Sequence, residues 1–280
     1  MRAFRYVVAD VFTDTPLTGN QVAVFTDARD LASIEMQALA RETNLSETVF
    51  VLPPQEGGHV RLRIFTPTLE LPFAGHPVLG SAFVLGAPLQ LGTIALETGA
   101  GVVPVHLTRD ESGRIVFGRM EQPVPGWRLY ERAEELLRGV GVKRSGLPVE
   151  LYDLGPTHAY IELESPEAVA GLEPDLAALG RHDCGVNCFA RAGERWRLRM
   201  FGPALGMAED PATGSAAGPL AIHLARHGRI AWGQQIEIEQ GAELRRPSRL
   251  FARADGSGDR PERVEVGGSA VTVARGEFRL

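Results

Sequence analysis

Two blocks of this chain repeat one another, and that repetition limits the possible folds more than any other feature. In the first half, Arg63-Ile64-Phe65-Thr66-Pro67 leads through Leu69 to His76-Pro77-Val78-Leu79-Gly80-Ser81-Ala82. In the second, Arg199-Met200-Phe201-Gly202-Pro203 leads through Leu205 to Asp210-Pro211-Ala212-Thr213-Gly214-Ser215-Ala216. The shared pattern is R-x-F-x-P, a short loop, then [His/Asp]-P-x-x-G-S-A, with the loop two residues shorter in the second copy. The period is far longer than that of a solenoid, so each copy is a domain-sized unit.

The likeness extends on both sides of the blocks. A helical stretch over 32–43 precedes the strands 47–52 and 59–65, and a helical stretch near 173–179 precedes the strands 186–190 and 196–201. Alternating apolar and polar residues in the second strand of each pair give the period-2 signature. An apolar helix follows each Gly-Ser-Ala. These patterns predict two α+β domains of similar design, over 1–119 and 126–280, joined by the Pro-rich segment 120–126. Residues 128–139 read as a charged amphipathic helix, 255–261 as a flexible turn, and 263–280 as a terminal hairpin whose last strand can cross back to the first domain.

Charge narrows the function. The 280 residues carry a formal net charge of −6, which repels phosphate backbones and anionic lipid and argues against nucleic-acid or membrane partners. No apolar run approaches the ~18–20 residues that cross a bilayer. The N-terminal run is broken by Arg5 and Asp10 and reads as a strand, not a signal peptide, so a cytoplasmic location is expected. Of the 29 basic residues only Lys143 is a lysine, and it lies in a polar turn. A Schiff-base or pyridoxal-phosphate enzyme needs a desolvated lysine, and a P-loop needs Gly-Lys-Ser/Thr. Neither is available, and no cofactor is expected. Cys184 and Cys188 have C-x3-C spacing without a second pair, and His223 and His227 lack the Glu of H-E-x-x-H. Buried thiols and no metal site are expected.

The chemistry-bearing residues cluster in the repeats. Gly-Ser-Ala marks a loop becoming a helix, where unpaired backbone N–H groups and the positive dipole end bind anions. Ser81 and Ser215 serve there either as simple N-caps or beside a bound carboxylate. His76 and Asp210 fill matched positions, so a duplicated fold brings one acid/base group from each half. Pattern alone places Glu47 at the mouth of an apolar strand, facing water. Ser215, His76 and Asp210 also permit a hydrolase triad, although the G-x-S-x-G elbow is missing.

At these residues the chain resembles the PhzF-like phenazine-biosynthesis family, within the diaminopimelate-epimerase-like fold. The resemblance is carried by Asp10-Val11-Phe12 with Gly19-Asn20, by Asn44-Leu45-Ser46-Glu47-Thr48, by Phe65-Thr66-Pro67 through Phe73-Ala74-Gly75-His76-Pro77, and by 209–216. Gln21 stands where the family commonly has proline. The resemblance implies two pseudo-symmetric α+β domains, each a barrel-like, mostly antiparallel sheet around a central helix, with the active site between them. It also implies a cofactor-free isomerase, usually a homodimer. The family's acid/base glutamate matches Glu47, and its assisting histidine, aspartate and serine match His76, Asp210 and Ser215. A two-thiol epimerase fits poorly, because the matching positions hold Ala74-Gly75 and Thr213.

The expectation is therefore an isomerase of a small carboxylate-bearing metabolite. Glu47 moves a proton between carbons, His76 and Asp210 assist, and backbone N–H groups near Gly75, Gly214 and Ser215 hold the substrate. A Ser215-dependent hydrolase and a non-catalytic small-acid binder are the alternatives.

Overall fold

The computed structural model describes residues 1–280. It is sheet-dominated α+β and divides into two units, 1–121 with 267–280, and 122–266.

The first unit begins with β1 (Ala3–Val11) and β2 (Asn20–Phe25), followed by α1 (Ser33–Thr43), β3 (Glu47–Leu52), β4 (Val60–Phe65) and the short β5 (Glu70–Leu71). The central helix α2 (Gly75–Leu89) comes next, and then β6 (Thr93–Thr98), β7 (Gly101–Arg109) and β8 (Ile115–Gln122). The second unit opens with β9 (Gly126–Leu129), α3 (Ala133–Val140), β10 (Glu150–Asp153) and β11 (Thr157–Glu162). The short helices α4 (Pro166–Ala170) and α5 (Leu176–Leu179) lead to β12 (Gly185–Ala192), β13 (Arg195–Gly202), a 3-10 turn at Pro203–Leu205 and β14 (Met207–Asp210). Its central helix is α6 (Gly214–Arg226), followed by β15 (Gln235–Gln240), β16 (Ser248–Ser257), β17 (Arg260–Gly268) and β18 (Ala270–Arg279).

The duplication is visible in the strand pairing. In the first unit β1–β2 is antiparallel, β2–β3 parallel, β3–β4 and β4–β5 antiparallel, β4–β6 parallel and β6–β7 antiparallel. In the second, β10–β11, β11–β12, β12–β13, β13–β14, β13–β15 and β15–β16 follow the same series. Helix α2 packs against β1, β2, β3, β6, β7 and β18, so the sheet wraps a central helix. The wrapping is open: β18 lies beside β1 and β8 beside β7, and the sheet is not closed into a barrel.

Close approach sets the helix sequence at Gly80, where a Cβ would lie 2.7 Å from Val22 and 2.8 Å from Val11. Strand β18 pairs with β1 along its whole length, from Ala3↔Arg279 to Val11↔Ala270. Three local expectations are corrected. Residues 126–129 are strand, so the helix begins only at Ala133. The turn at 255–261 is mostly strand, because β16 runs to Ser257 and β17 starts at Arg260. The connecting segment shrinks to 123–125, because β8 extends to Gln122.

The register of the repeat is also corrected. Helix α2 starts at Gly75, five residues before Gly80, whereas α6 starts at Gly214. Pro77 causes the difference: it sits in the first turn of α2, where an amide hydrogen would have no intrahelical acceptor. Ser81 is therefore a buried interior residue of α2, not a helix start. The matching segments are Glu70-Leu71-Pro72-Phe73-Ala74-Gly75-His76 and Glu209-Asp210-Pro211-Ala212-Thr213-Gly214-Ser215. The salt bridges fix this alignment. Arg63 grips Glu70 through both carboxylate oxygens at 2.7 and 2.6 Å, and Arg199 grips Glu209 likewise at 2.8 and 2.8 Å. His76 thus corresponds to Ser215, and Asp210 to Leu71.

Candidate active site

In the first unit, Asn44 closes α1 in the left-handed conformation (φ 51°, ψ 33°), which its short polar side chain tolerates. The chain then needs only Leu45 and Ser46 to enter β3, so Glu47 is its first residue, paired with Val22 of β2. Glu47 is 6% exposed, which corrects the water-facing expectation. Burial comes from the parallel β2–β3 pairing, a long-range contact that no local pattern reports.

Glu47 Oε2 lies 3.2 Å from His76 Nε2. His76 is the second residue of α2 and is itself buried, at 4% exposure. Its Nδ1 lies 3.3 Å from Asn20 Nδ2, and its Nε2 lies 3.2 Å from the Gln21 carbonyl oxygen. Ser46 Oγ donates to Asn20 Oδ1 at 3.1 Å, which turns the Asn20 amide nitrogen toward the ring. The tautomer assigned from these partners has the proton on Nε2, facing Gln21 and Glu47. Burial pushes the His76 imidazolium down to about 3, outweighing the Gln21 carbonyl that pulls it up. His76 is therefore a neutral hydrogen-bond donor at neutral pH.

In the second unit, Asp210 ends β14 and Gly214 and Ser215 open α6. Thr213 Oγ1 donates to Asp210 Oδ2 at 2.6 Å. Gln240 Oε1 accepts from the Thr213 amide at 3.0 Å, while its Nε2 donates to the Asp210 carbonyl at 2.8 Å and to Thr213 Oγ1 at 3.0 Å. One buried glutamine thus clamps the turn that presents Asp210.

The N-cap residues Ala74 and Thr213 make no side-chain cap bond to their helices. Ser215 is the second helical residue, so the simple N-cap reading of Ser81 and Ser215 does not hold. The amides of Gly75, His76, Gly214 and Ser215 have no intrahelical acceptors, and both helix ends carry positive dipole charge. The structure brings Glu47, His76 and Gly75 together in the first unit, and Asp210, Gly214 and Ser215 together in the second.

Sequence reasoning missed His158 and Asn187. His158 Nε2 lies 3.0 Å from Ser215 Oγ, a nucleophile–base spacing. Its other nitrogen is 3.3 Å from Asn187 Nδ2, a group with hydrogens only to give. The Nε2 proton therefore points at the serine, and the ring cannot take the serine's proton. That polarity argues against a Ser215 hydrolase.

Glu150, His223 and His227 bring ligand-capable atoms within 4.8 Å of one another. Arg226 already occupies the position a cation would take, with Nη1 2.6 Å from Glu150 Oε2 and its guanidinium 3.2 Å over Trp127. Burial alone would raise the Glu150 carboxyl, but hydrogen bonds from His223, Arg226 and Tyr152 pull it down to about 2. The cluster is a buried ion-pair network joining β10 to α6. Cys184 and Cys188 are both buried, and burial pushes their thiols up to about 11 and about 12. No helix is long and apolar enough to cross a membrane.

Residues 9–276 match the PhzC-PhzF family, described as phenazine biosynthesis-like protein. The chain is 55% identical over 277 residues to a trans-2,3-dihydro-3-hydroxyanthranilate isomerase of Pseudomonas aeruginosa, covering 99% of each chain. A phenazine biosynthesis protein of the PhzF family from Bacillus anthracis shares the fold with a TM-score of 0.88, at 24% identity over 100% of both chains. A Pseudomonas aeruginosa protein described as a predicted epimerase has a TM-score of 0.82 at 33% identity, covering 98% of this chain and 99% of its own. The duplicated α+β fold, together with relatives named as isomerases, defines an isomerase of epimerase-like fold. The chain belongs to the PhzC-PhzF family.

Proposed function

We propose that this chain isomerises trans-2,3-dihydro-3-hydroxyanthranilate or a close cyclic carboxylate, moving a proton between carbons without a cofactor. The observation that carries the reading is the Glu47–His76 pair: a buried carboxyl 3.2 Å from an imidazole with a defined tautomer. The 55% identity to an isomerase of that substrate supports the substrate class.

In this reading Glu47 takes a proton from a ring carbon and returns it at another, so substrate and product have the same atoms. Neutral His76, its Nε2 hydrogen directed at the Gln21 carbonyl, stands 3.2 Å from the carboxyl and can turn that hydrogen toward a substrate oxygen. Negative charge developing on the substrate carboxylate or an adjacent oxygen is met by the uncapped amides at Gly75–His76 and Gly214–Ser215. Asp210, held by Thr213 and Gln240, orients a polar substituent. The proposal includes the family expectation of a homodimer and the expectation, from the N-terminal residues, of a cytoplasmic location.

The test is turnover of trans-2,3-dihydro-3-hydroxyanthranilate followed by proton NMR. Wild type should convert it after exhaustive dialysis against a chelator. Glu47→Gln should still bind it while losing about 100- to 10,000-fold in kcat. Full activity in that variant removes Glu47 from the mechanism.

A further inference from the structure

Ser215 Oγ has two hydrogen-bonding capacities that matter here: it can accept from a donor, and it has one hydrogen to give. Which of these faces the substrate is decided behind it, at His158. That ring is fully buried, and its Nε2 lies 3.0 Å from Ser215 Oγ.

The orientation of His158 is set by Asn187, also fully buried. Asn187 Nδ2 lies 3.1 Å from the Ala159 carbonyl oxygen, 3.3 Å from the Gly185 carbonyl oxygen and 3.3 Å from His158 Nδ1. Two of those three neighbours can only accept, so the amide nitrogen faces all three. Reversing the amide would set oxygen against both carbonyls. Asn187 Oδ1 is left buried with no hydrogen-bond partner, so this amide orientation is held entirely by its donor side. Gly185 makes the packing possible, because a Cβ there would sit 2.9 Å from His158 Nδ1. Because His158 Nδ1 faces an NH2 group that cannot accept, the ring proton is on Nε2. Burial keeps the ring neutral by pushing its imidazolium down to about 4.

We propose that His158 is a positioning residue for this site: its Nε2–H donates to Ser215 Oγ and so commits the serine hydroxyl to donating its single hydrogen to an oxygen of the carboxylate substrate. The proposal rests on the reading of Ser215 as substrate-binding. Ser215 is then a fixed donor beside the helix amides of Gly214 and Ser215. It is a poor nucleophile, because its hydrogen is directed at the ligand and no base faces it.

Side-chain nitrogen NMR on the full chain tests the first half directly. His158 should show the Nε2–H tautomer from pH 8 to pH 5, with no titration near the ordinary histidine value. An Nδ1–H tautomer, or an imidazolium in that range, overturns the proposal. Kinetics tests the second half. His158→Leu and Ser215→Ala should each lower kcat/KM about 10- to 100-fold. The double variant should fall no more than about threefold below Ser215→Ala, because His158 acts through that hydroxyl. His158→Gln, which can still present an N–H to Ser215, should recover most of the loss.

Multiplied losses in the double variant, or full activity in His158→Leu, overturn the proposal. If His158→Leu does not fold, the comparison of His158→Gln in the wild-type and Ser215→Ala backgrounds replaces it: any loss it causes must vanish without the hydroxyl. Failure of the isomerase reading shows separately, as no turnover by wild type, and leaves the tautomer result to decide His158.

Discussion

His76 and His158 are both imidazoles kept neutral by burial, and this has a measurable consequence for stability. Their imidazolium forms are pushed down to about 3 and about 4 in the native chain. The unfolded chain takes up those protons near pH 6.5, while the folded chain does not. Stability is therefore unaffected above that pH and falls as the pH drops from about 6.5 toward 4, by up to ~1.4 kcal/mol per pH unit for each ring. Urea unfolding between pH 7 and pH 4.5 should show this slope, and His158→Gln should reduce it by about one proton. A flat profile would mean the rings are not buried neutral. The sequence marks His76 by its repeat context and its family motif. His158 follows Gly155-Pro156-Thr157 near the start of a short strand, Thr157–Glu162. Its partner Asn187 lies 29 residues away, across a parallel ladder, so nothing local distinguishes it.

The repeated elements are bound by an arginine that each copy uses alike. Arg63 and Arg199 reach back from β4 and β13 to the short strands before the central helices, and each also lies over the phenylalanine two residues on, at 5.1 and 4.9 Å. Their settings differ. The Arg63–Glu70 side chains are 20% and 41% exposed, against 8% and 11% for Arg199–Glu209. Arg199 Nη1 also donates to the carbonyls of Val169, Ala170 and Leu172. Removing Arg63 should thus cost no more than about 1 kcal/mol. Arg199→Leu leaves Glu209 and three carbonyls without their donor, and should cost about 3–5 kcal/mol. Equal midpoint shifts in denaturant for the two variants would contradict this ranking. At this scale the R-x-F-x-P block was legible because it is contiguous. The register of the helices was not, because Gly-Ser-Ala occurs in both copies by coincidence of composition. The functional match, Gly75-His76 with Gly214-Ser215, appears only when Pro77 is seen inside a helix and Glu70 is seen paired like Glu209.

At the scale of the whole chain, the first unit is discontinuous. Its strand β18 comes from the C-terminus, tied to β1 by continuous pairing, by reciprocal backbone bonds between Arg2 and Leu280, and by Phe278 against Tyr6 and Phe25. Ending the chain at residue 269 strips that ladder. It should lower the thermal midpoint by about 10 °C or more, or leave the first unit unfolded. An unchanged midpoint would show that β18 is dispensable. The duplication, the α+β class and the family were all readable from the sequence, because each rests on contiguous blocks. The burial of Glu47 was not, since it depends on β2, α1 and α2 assembling around one carboxyl. That buried carboxyl is the centre of the functional account. Its most direct test is catalysis of trans-2,3-dihydro-3-hydroxyanthranilate isomerisation in deuterium oxide, with wild type and Glu47→Gln side by side. The account predicts product from wild type, with deuterium at the newly protonated carbon to the extent that the Glu47 proton exchanges with solvent before its return, and neither product nor exchange from Glu47→Gln. Product and exchange at the wild-type rate from Glu47→Gln would contradict it.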